Sequence, residues 1–239
     1  MDTIKVEKGK VKLIAHRGLS GLERENTVAA FVAAGQRSYY GVETDVHTTA
    51  DGKFILVHDD DLKRVAGLDK KVEKSTFTAL RAVRMKDIDG KTERADLCLP
   101  TPEEYFSVCK KYGKQAIFEI KNSMSIERIG ALVDTVKRTG WFARTTFISF
   151  EKENLKRLRE LAPDANAQFL SGDCGKKEIK FMVENRLDAD LHYGCITAEL
   201  VSRLHREGLK VNTWTVDDPK QMQTLVLCGV DFITTNILE

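Results

Sequence analysis

Short strand-like runs alternate along this chain with amphipathic, capped stretches, and that alternation argues for a parallel sheet covered by helices. The strand-like runs lie near residues 11 to 16, 41 to 46, 115 to 121, 145 to 149, 166 to 170, 188 to 192, 210 to 215 and 230 to 234. Eight such strands close a barrel. The intervening stretches carry helix signals. Thr101-Pro102-Glu103-Glu104 offers an N-cap, a first-turn proline and a capping-box acid, and Tyr105, Val108, Cys109 and Tyr112 form an apolar stripe that ends at Gly113. Ile126, Ile129, Val133 and Val136 repeat the spacing, as do Val201 and Leu204 before Gly208. A further helix follows Asp217-Asp218-Pro219, with Met222, Leu225 and Val226 inward and Gly229 at its end.

Two features break the alternation. Residues 47 to 58 read as a hairpin excursion from the second strand, with Asp51-Gly52 in the turn, which returns His58 toward the end of that strand. Residues 60 to about 100, rich in charge, lack the pattern of a barrel helix; connections of this length form lids or small subdomains. At the other end only Asn236 to Glu239 follow the eighth strand, so the last barrel helix is expected to be missing or supplied by another segment.

The barrel strands carry chemistry at their C-terminal ends. Glu43 and Asp45 are spaced i,i+2 and therefore share a face, and two buried acids together are unfavourable unless a cation or a proton neutralises them. They read as half of a hard-metal site. The first strand ends on His16-Arg17-Gly18, the hairpin on His58-Asp59, and the third strand carries Glu119 and Lys121, again i,i+2. The C-terminal face of such a barrel is where active sites are built, so His16, Glu43, Asp45, Glu119, Lys121 and Trp214 are expected to converge on one pocket.

The ordered motifs His16-Arg17-Gly18, Glu25-Asn26-Thr27, Glu43-x-Asp45, Thr49-x-Asp51-Gly52, His58-Asp59, Glu119-x-Lys121, Ser149-Phe150 and Trp214-Thr215-Val216-Asp217 resemble those of the glycerophosphodiester phosphodiesterase family. The resemblance runs from about residue 12 to about 235. It implies a TIM (β/α)8 barrel as one domain over residues 1–239, with residues 60 to 100 as the small insertion after the second strand. It also implies hydrolysis of glycerophosphodiesters to sn-glycerol 3-phosphate and an alcohol.

Composition is compatible and excludes some alternatives. A chain of 239 residues with 42% hydrophobic content fits one large α/β domain. Net charge is +2, with Lys and Arg spread along the chain, so no nucleic-acid footprint is present. Five cysteines form no CxxC pair and suit reduced thiols. No stretch approaches the roughly 20 apolar residues of a spanning helix, and Met1 to Lys12 lacks an apolar leader, so no membrane insertion is expected and the expected location is cytoplasmic.

A phosphodiester is anionic, so attack on phosphorus requires charge neutralisation, an activated nucleophile and a protonated leaving oxygen. Oxygen-only ligands from Glu43, Asp45 and Glu119 suit a divalent cation such as Mg²⁺, Ca²⁺ or Mn²⁺, acting as a Lewis acid on a non-bridging oxygen. Arg17 and Lys121 hold the remaining phosphate charge, and His16 and His58 are the natural proton-transfer pair, which of them is acid and which base staying open. The resemblance implies the same roles. The nucleophile is water or the glycerol 2-hydroxyl.

Other residues allow two readings. Trp214 is either a core aromatic or an apolar wall for the substrate. His47 shares parity with Asp45 but lies further out and is expected to face solvent from the hairpin, and Glu25-Asn26-Thr27 is expected to act mainly as a helix start. Two positions depart from the family pattern: Arg24 stands where a proline is common, near the mouth, where it bears on headgroup preference, and Asn236 stands where an aspartate is common. Neither is expected to ligate metal or transfer protons. A lysophospholipase-D-like enzyme would need an apolar mouth, which the charged segment 60 to 100 argues against. A non-catalytic phosphodiester-binding barrel would have lost one of the acids or histidines, and all are present.

Overall fold

The structure, a computed structural model, describes residues 2–239. Its strands are β1 (Lys12–Ala15), β2 (Gly41–Thr48), β3 (Phe54–Leu56), β4 (Gln115–Ile120), β5 (Thr145–Ser149), β6 (Asn166–Ser171), β7 (Asp188–His192), β8 (Val211–Trp214) and β9 (Phe232–Thr235). Eight of these run parallel around a closed ring in which β9 pairs with β1, Ile14 opposite Thr234, and β1 pairs with β2, Ile14 opposite Gly41. The ring is a TIM barrel, with its strands at the positions expected from the sequence. β3 stands outside it, antiparallel to the end of β2, with Val46 opposite Leu56.

Strand alternation sorts the side chains. Ile14, Ile117, Ile148, Leu170 and Phe232 meet inside the barrel with Tyr40 and Trp214, whereas Leu13, Val42, Phe118, Phe147, Leu191 and Val211 face outward into the larger core under the helices. The helices are α1 (Val28–Gly35), α2 (Lys63–Ala66), α3 (Phe77–Arg81), α4 (Pro102–Tyr112), α5 (Ile126–Arg138), α6 (Lys152–Leu161), α7 (Lys176–Asn185), α8 (Ala198–Arg206) and α9 (Pro219–Cys228). The expected capping box opens α4: Glu104 N–H donates to Thr101 Oγ1 at 3.2 Å and Thr101 N–H to Glu104 Oε2 at 2.8 Å. Such a cap is worth about 1 kcal/mol. Gly113 closes the helix in the left-handed conformation. Tyr105 of α4 stacks among Phe31, Phe106 and Phe118, and its hydroxyl donates to the Val42 carbonyl at 2.7 Å, fixing the helix against β2.

β2 overshoots the ring and the overshoot pairs with β3. In the turn between them Gly52 has φ +74°, and Asp51 accepts from Thr49 Oγ1 and from Phe77 N–H, tying the hairpin to the start of α3. The segment beyond, residues 60 to 100, is a folded subdomain with its own core: Leu62, Val65, Val72, Leu80, Met85, Leu97 and Leu99 pack on Ile55 and Val57. Arg24 braces it, donating to the Lys86 and Asp87 carbonyls, so its guanidinium is engaged by the insertion and not free at the mouth. Residues 236–239, after β9, are not helical. They run beside the N-terminal segment, where Ile4 N–H donates to the Ile237 carbonyl and Val6 N–H to that of Glu239.

Because Leu80 is fully buried in the insertion's core, Leu80→Ala should cost about 2–5 kcal/mol in urea unfolding. A loss within about 0.5 kcal/mol, as at a surface site, would show that the segment is an unsupported loop.

Candidate active site

Parity and register bring the three acids together. Glu43 and Asp45 point inward from β2, and Asp45 lies opposite Glu119 of β4. All three are buried, and one carboxylate oxygen from each lies within 4.8 Å of the others. Three carboxylates at this separation repel unless compensated, and the chain supplies two cations against them. Lys121 Nζ donates to Glu119 Oε1 at 2.8 Å and lies 3.6 Å from Asp45 Oδ1; Arg17 Nε lies 3.6 Å from Asp45 Oδ2. Compensation is incomplete, since Asp45 Oδ1 is buried without a hydrogen-bond partner. An orphaned carboxylate oxygen facing two further acids fits an oxygen-preferring divalent cation.

The charges respond as burial dictates. Burial and the neighbouring Asp45 push Glu119 up to about 8 and raise Glu43 well above its usual range. Asp45 is lowered: burial opposes its charge, but Lys121 and Arg17 prevail.

The motif at the end of β1 is shaped by backbone geometry. Arg17 has φ +53° and Gly18 φ +77°; a β-carbon on Gly18 would meet Ala30 at 2.7 Å. For arginine this conformation costs on the order of 1 kcal/mol. It is held because Arg17 N–H donates to Glu43 Oε2 at 2.7 Å and Asn26 N–H donates to the Arg17 carbonyl. The turn lets one residue address Glu43 with its backbone and Asp45 and Glu25 with its guanidinium.

His16, Arg17, Glu43, His58, Glu119 and Trp214 line one cavity of about 150 Å³, together with Ile148, Phe150, Leu170, Asp190, Thr215 and Thr234. Lys121 joins through Glu119. Each histidine is held by Nδ1, leaving Nε2 free. His16 Nδ1 is 2.8 Å from Asn236 Oδ1, whose amide in turn donates to Asp217 at 2.6 Å. His58 Nδ1 is 2.7 Å from Asp59 Oδ1, and Arg64 of α2 donates to Asp59 at 2.8 Å. Burial, then Arg17, lowers His16 to about 4, and burial also lowers His58.

Several expectations change. His47 does not face solvent: it is fully buried, with Nε2 3.3 Å from the His58 carbonyl and Nδ1 3.7 Å from Glu73, because the insertion folds over the hairpin. Thr27 does cap α1, accepting from Ala30 N–H, yet its two neighbours are more than a helix start. Asn26 donates to Asp45 Oδ2 at 2.7 Å and accepts from Thr44 Oγ1, while Glu25 pairs with both Arg17 and Arg64. Asn236, expected neither to ligate metal nor to transfer protons, contacts His16 Nδ1. Ser149 is a brace, donating to the Ile120 carbonyl at 2.7 Å at the end of the strand that carries Glu119. Asp59, Arg64, Asp190 and Asp217 went unassigned by sequence reasoning. For Asp190 a signal existed: Asp188-x-Asp190-x-His192 has the same i,i+2 spacing that singled out Glu43 and Asp45.

The profile of the Glycerophosphoryl diester phosphodiesterase family matches residues 16–239. The chain belongs to this family. A glycerophosphodiester phosphodiesterase of Caldanaerobacter subterraneus subsp. tengcongensis is 29% identical, covering 95% of this chain and 94% of its own length. Among solved structures, a glycerophosphodiester phosphodiesterase from Parabacteroides distasonis superimposes with a TM-score of 0.79 at 32% identity, covering 96% of this chain and 94% of that one. A phosphodiesterase of Oleispira antarctica, in complex with the product sn-glycerol-3-phosphate, superimposes with a TM-score of 0.86 at 25% identity over 94% of this chain and 92% of its own. The family match begins at His16 and thus spans all the residues that line the cavity.

The raised acids set a sign for pH dependence. Glu43 and Glu119 titrate above the ordinary glutamate value of 4.5 when folded, so without a cation the stability they allow is complete below that value and is lost as pH rises toward about 8. A bound cation requires the deprotonated acids and reverses the loss. The rise in Tm produced by Mg²⁺ over EDTA should therefore be larger at pH 8 than at pH 6; an equal rise at both would reject the acid cluster as the binding site.

Proposed function

We propose that this member of the glycerophosphoryl diester phosphodiesterase family hydrolyses glycerophosphodiesters to sn-glycerol 3-phosphate and an alcohol, using a divalent cation and the His16–His58 pair. The observation that carries the reading is the single cavity shared by two histidines with free Nε2 atoms, two of the three clustered acids and Arg17. Family membership and a structural relative in complex with sn-glycerol-3-phosphate support it.

Glu43, Asp45 and Glu119 hold the cation, with Mg²⁺, Ca²⁺ and Mn²⁺ the ions their oxygens suit. When bound it supplies Lewis-acid neutralisation of a non-bridging phosphoryl oxygen. Arg17 offers its guanidinium to the phosphate, and Glu25 and Asp45 fix its direction. Lys121 adds a point charge from beside Glu119. One histidine takes a proton at Nε2 from the nucleophile, water or the glycerol 2-hydroxyl, and the other delivers a proton from Nε2 to the leaving alcohol oxygen. Asn236 and Asp59 keep both rings on the Nδ1–H tautomer that this requires. Trp214, whose Nε1–H is engaged by the Asp190 carbonyl at 3.2 Å, presents an apolar face to the substrate. Five free cysteines are consistent with a cytoplasmic enzyme. Among the described residues no helix is long and apolar enough to cross a membrane.

Phe150, 45% exposed, packs edge-on against Trp214 at 5.5 Å and gives the mouth an aromatic ledge. That ledge favours the lysophospholipase-D-like reading more than the sequence did, and a preference for lysophosphatidylcholine over glycerophosphocholine would establish it.

His16→Ala and His58→Ala should each lower turnover of glycerophosphocholine by roughly 10² to 10⁴. A substrate with a good leaving group should rescue whichever variant has lost the acid, which assigns the two roles. Near-normal turnover by either variant on a poor leaving group would remove that histidine from proton transfer. Arg17→Ala and Lys121→Ala should weaken all diesters about equally. Trp214→Ala should impair glycerophosphocholine turnover clearly and bis(p-nitrophenyl) phosphate barely; equal losses would return Trp214 to a packing role.

A further inference from the structure

One buried carboxyl in the cavity has no part in the chemistry above. Asp190 lies on β7 at the inward-facing parity, is 1% exposed, and lines the recess together with Trp214, Leu170 and Thr234. Among the described residues no cation acts on it, and its Oδ1 has no hydrogen-bond partner. Of the neighbouring interior polar groups, Asn212 is the one that reaches the Asp190 carboxyl, and its Nδ2 also lies 3.2 Å from Thr234 Oγ1 and 3.4 Å from Gln168 Oε1, which leaves Oδ1 unpartnered. A buried, unpaired carboxyl oxygen is costly, and the apolar interior residues Ile14, Ile117, Ile148 and Leu170 supply no donor to it. What it lacks is a donor, and the cavity is where one can arrive.

The two spaces beside His16 and Arg17 differ in size. The recess with Asp190 measures about 150 Å³, whereas a cleft of about 600 Å³, lined by His16, Arg17, Ser20, Glu25, Asp217 and Asn236, opens on another side of the same two residues. Both spaces border Arg17, and the one that contains Asp190 is the smaller. We propose that Asp190 is a specificity-determining residue: its Oδ1 accepts a hydrogen bond from the terminal hydroxyl of the substrate's glycerol arm, with Trp214 as the apolar wall of the same subsite. This rests on the proposed hydrolysis of glycerophosphodiesters and adds the group that selects glycerol. Burial raises the Asp190 carboxyl to about 8, so near neutral pH it is largely protonated, needs no counter-ion, and still offers an acceptor oxygen. A site built to hydrogen-bond a hydroxyl rejects the analogue that lacks it, because the buried partner stays unpaired.

The test compares glycerophosphocholine with the phosphocholine diester of propane-1,2-diol esterified at its primary carbon, which keeps the 2-hydroxyl and lacks only the terminal one. Choline release reads both substrates. Wild type should prefer the glycerol arm by at least about tenfold in kcat/KM. Asp190→Ala should bring the ratio close to one through loss on the glycerol substrate alone, and Asp190→Asn, which keeps an acceptor oxygen and the volume, should retain most of the preference. Calorimetry with sn-glycerol 3-phosphate and propane-1,2-diol 1-phosphate, in Mg²⁺, should show the same discrimination without turnover. If wild type hydrolysed neither diester, the hydrolase reading would fail while binding still decided this inference. An unchanged ratio in Asp190→Ala, or equal binding of the two monophosphates by wild type, would overturn it. Should Asp190→Ala fail to fold, the wild-type ratio and the binding pair decide alone.

Discussion

Everything at the top of this barrel is arranged around the cost of burying Glu43, Asp45 and Glu119 side by side. Carboxylates whose oxygens lie within 4.8 Å of one another in a dry interior cannot all stay ionised without neighbouring positive charge. The protein answers with Arg17 and Lys121, one from each flanking strand end, and leaves Asp45 Oδ1 unsatisfied. The two cations lower Asp45 and leave Glu119 raised, so the cluster is partly compensated by design of position and completed only by a further cation or by protons. The left-handed turn at Arg17 belongs to the same arrangement: its strain is what lets a single residue reach Glu43, Asp45 and Glu25 at once.

Outside that cluster lies a layer of polar groups that hold the acids and the two histidines in place. Asn26 fixes Asp45, Ser149 fixes the end of β4, Asn236 and Asp217 fix His16, and Asp59 with Arg64 fixes His58. The two histidines differ in what backs them. Asn236 is the leading group that favours the charged ring of His16, whereas for His58 that place belongs to Asp45 with Asp59 adding to it, so the same residue type sits in two electrostatic settings on either side of one cavity.

The insertion matters for the same reason. Its own apolar core holds α2 rigidly enough for Arg64 to bridge Asp59 and Glu25, which links the hairpin bearing His58 to the loop bearing Arg17. A loop with no core would leave His58 on a mobile hairpin. The buried His47 lies under the same cover, and its Nε2–H serves the His58 carbonyl.

The sequence by itself determined the barrel, through eight strand-like runs separated by capped amphipathic stretches, and which acids share a face, through i,i+2 pairs at strand ends. Both follow from local periodicity, in which a strand's alternation fixes which side chains share a face whatever the rest of the chain does. Only the tertiary structure decided the partners. That Asn236 meets His16 from 220 positions away, that Arg64 closes on Glu25, and that Glu73 and the insertion cover His47 depend on contacts between segments with no common period. Asp190 shows the boundary most clearly: its parity was readable in the sequence, but whether an inward carboxyl meets a cation, an amide or an empty recess is set by the side chains of neighbouring strands, and those are brought beside it only when the barrel closes.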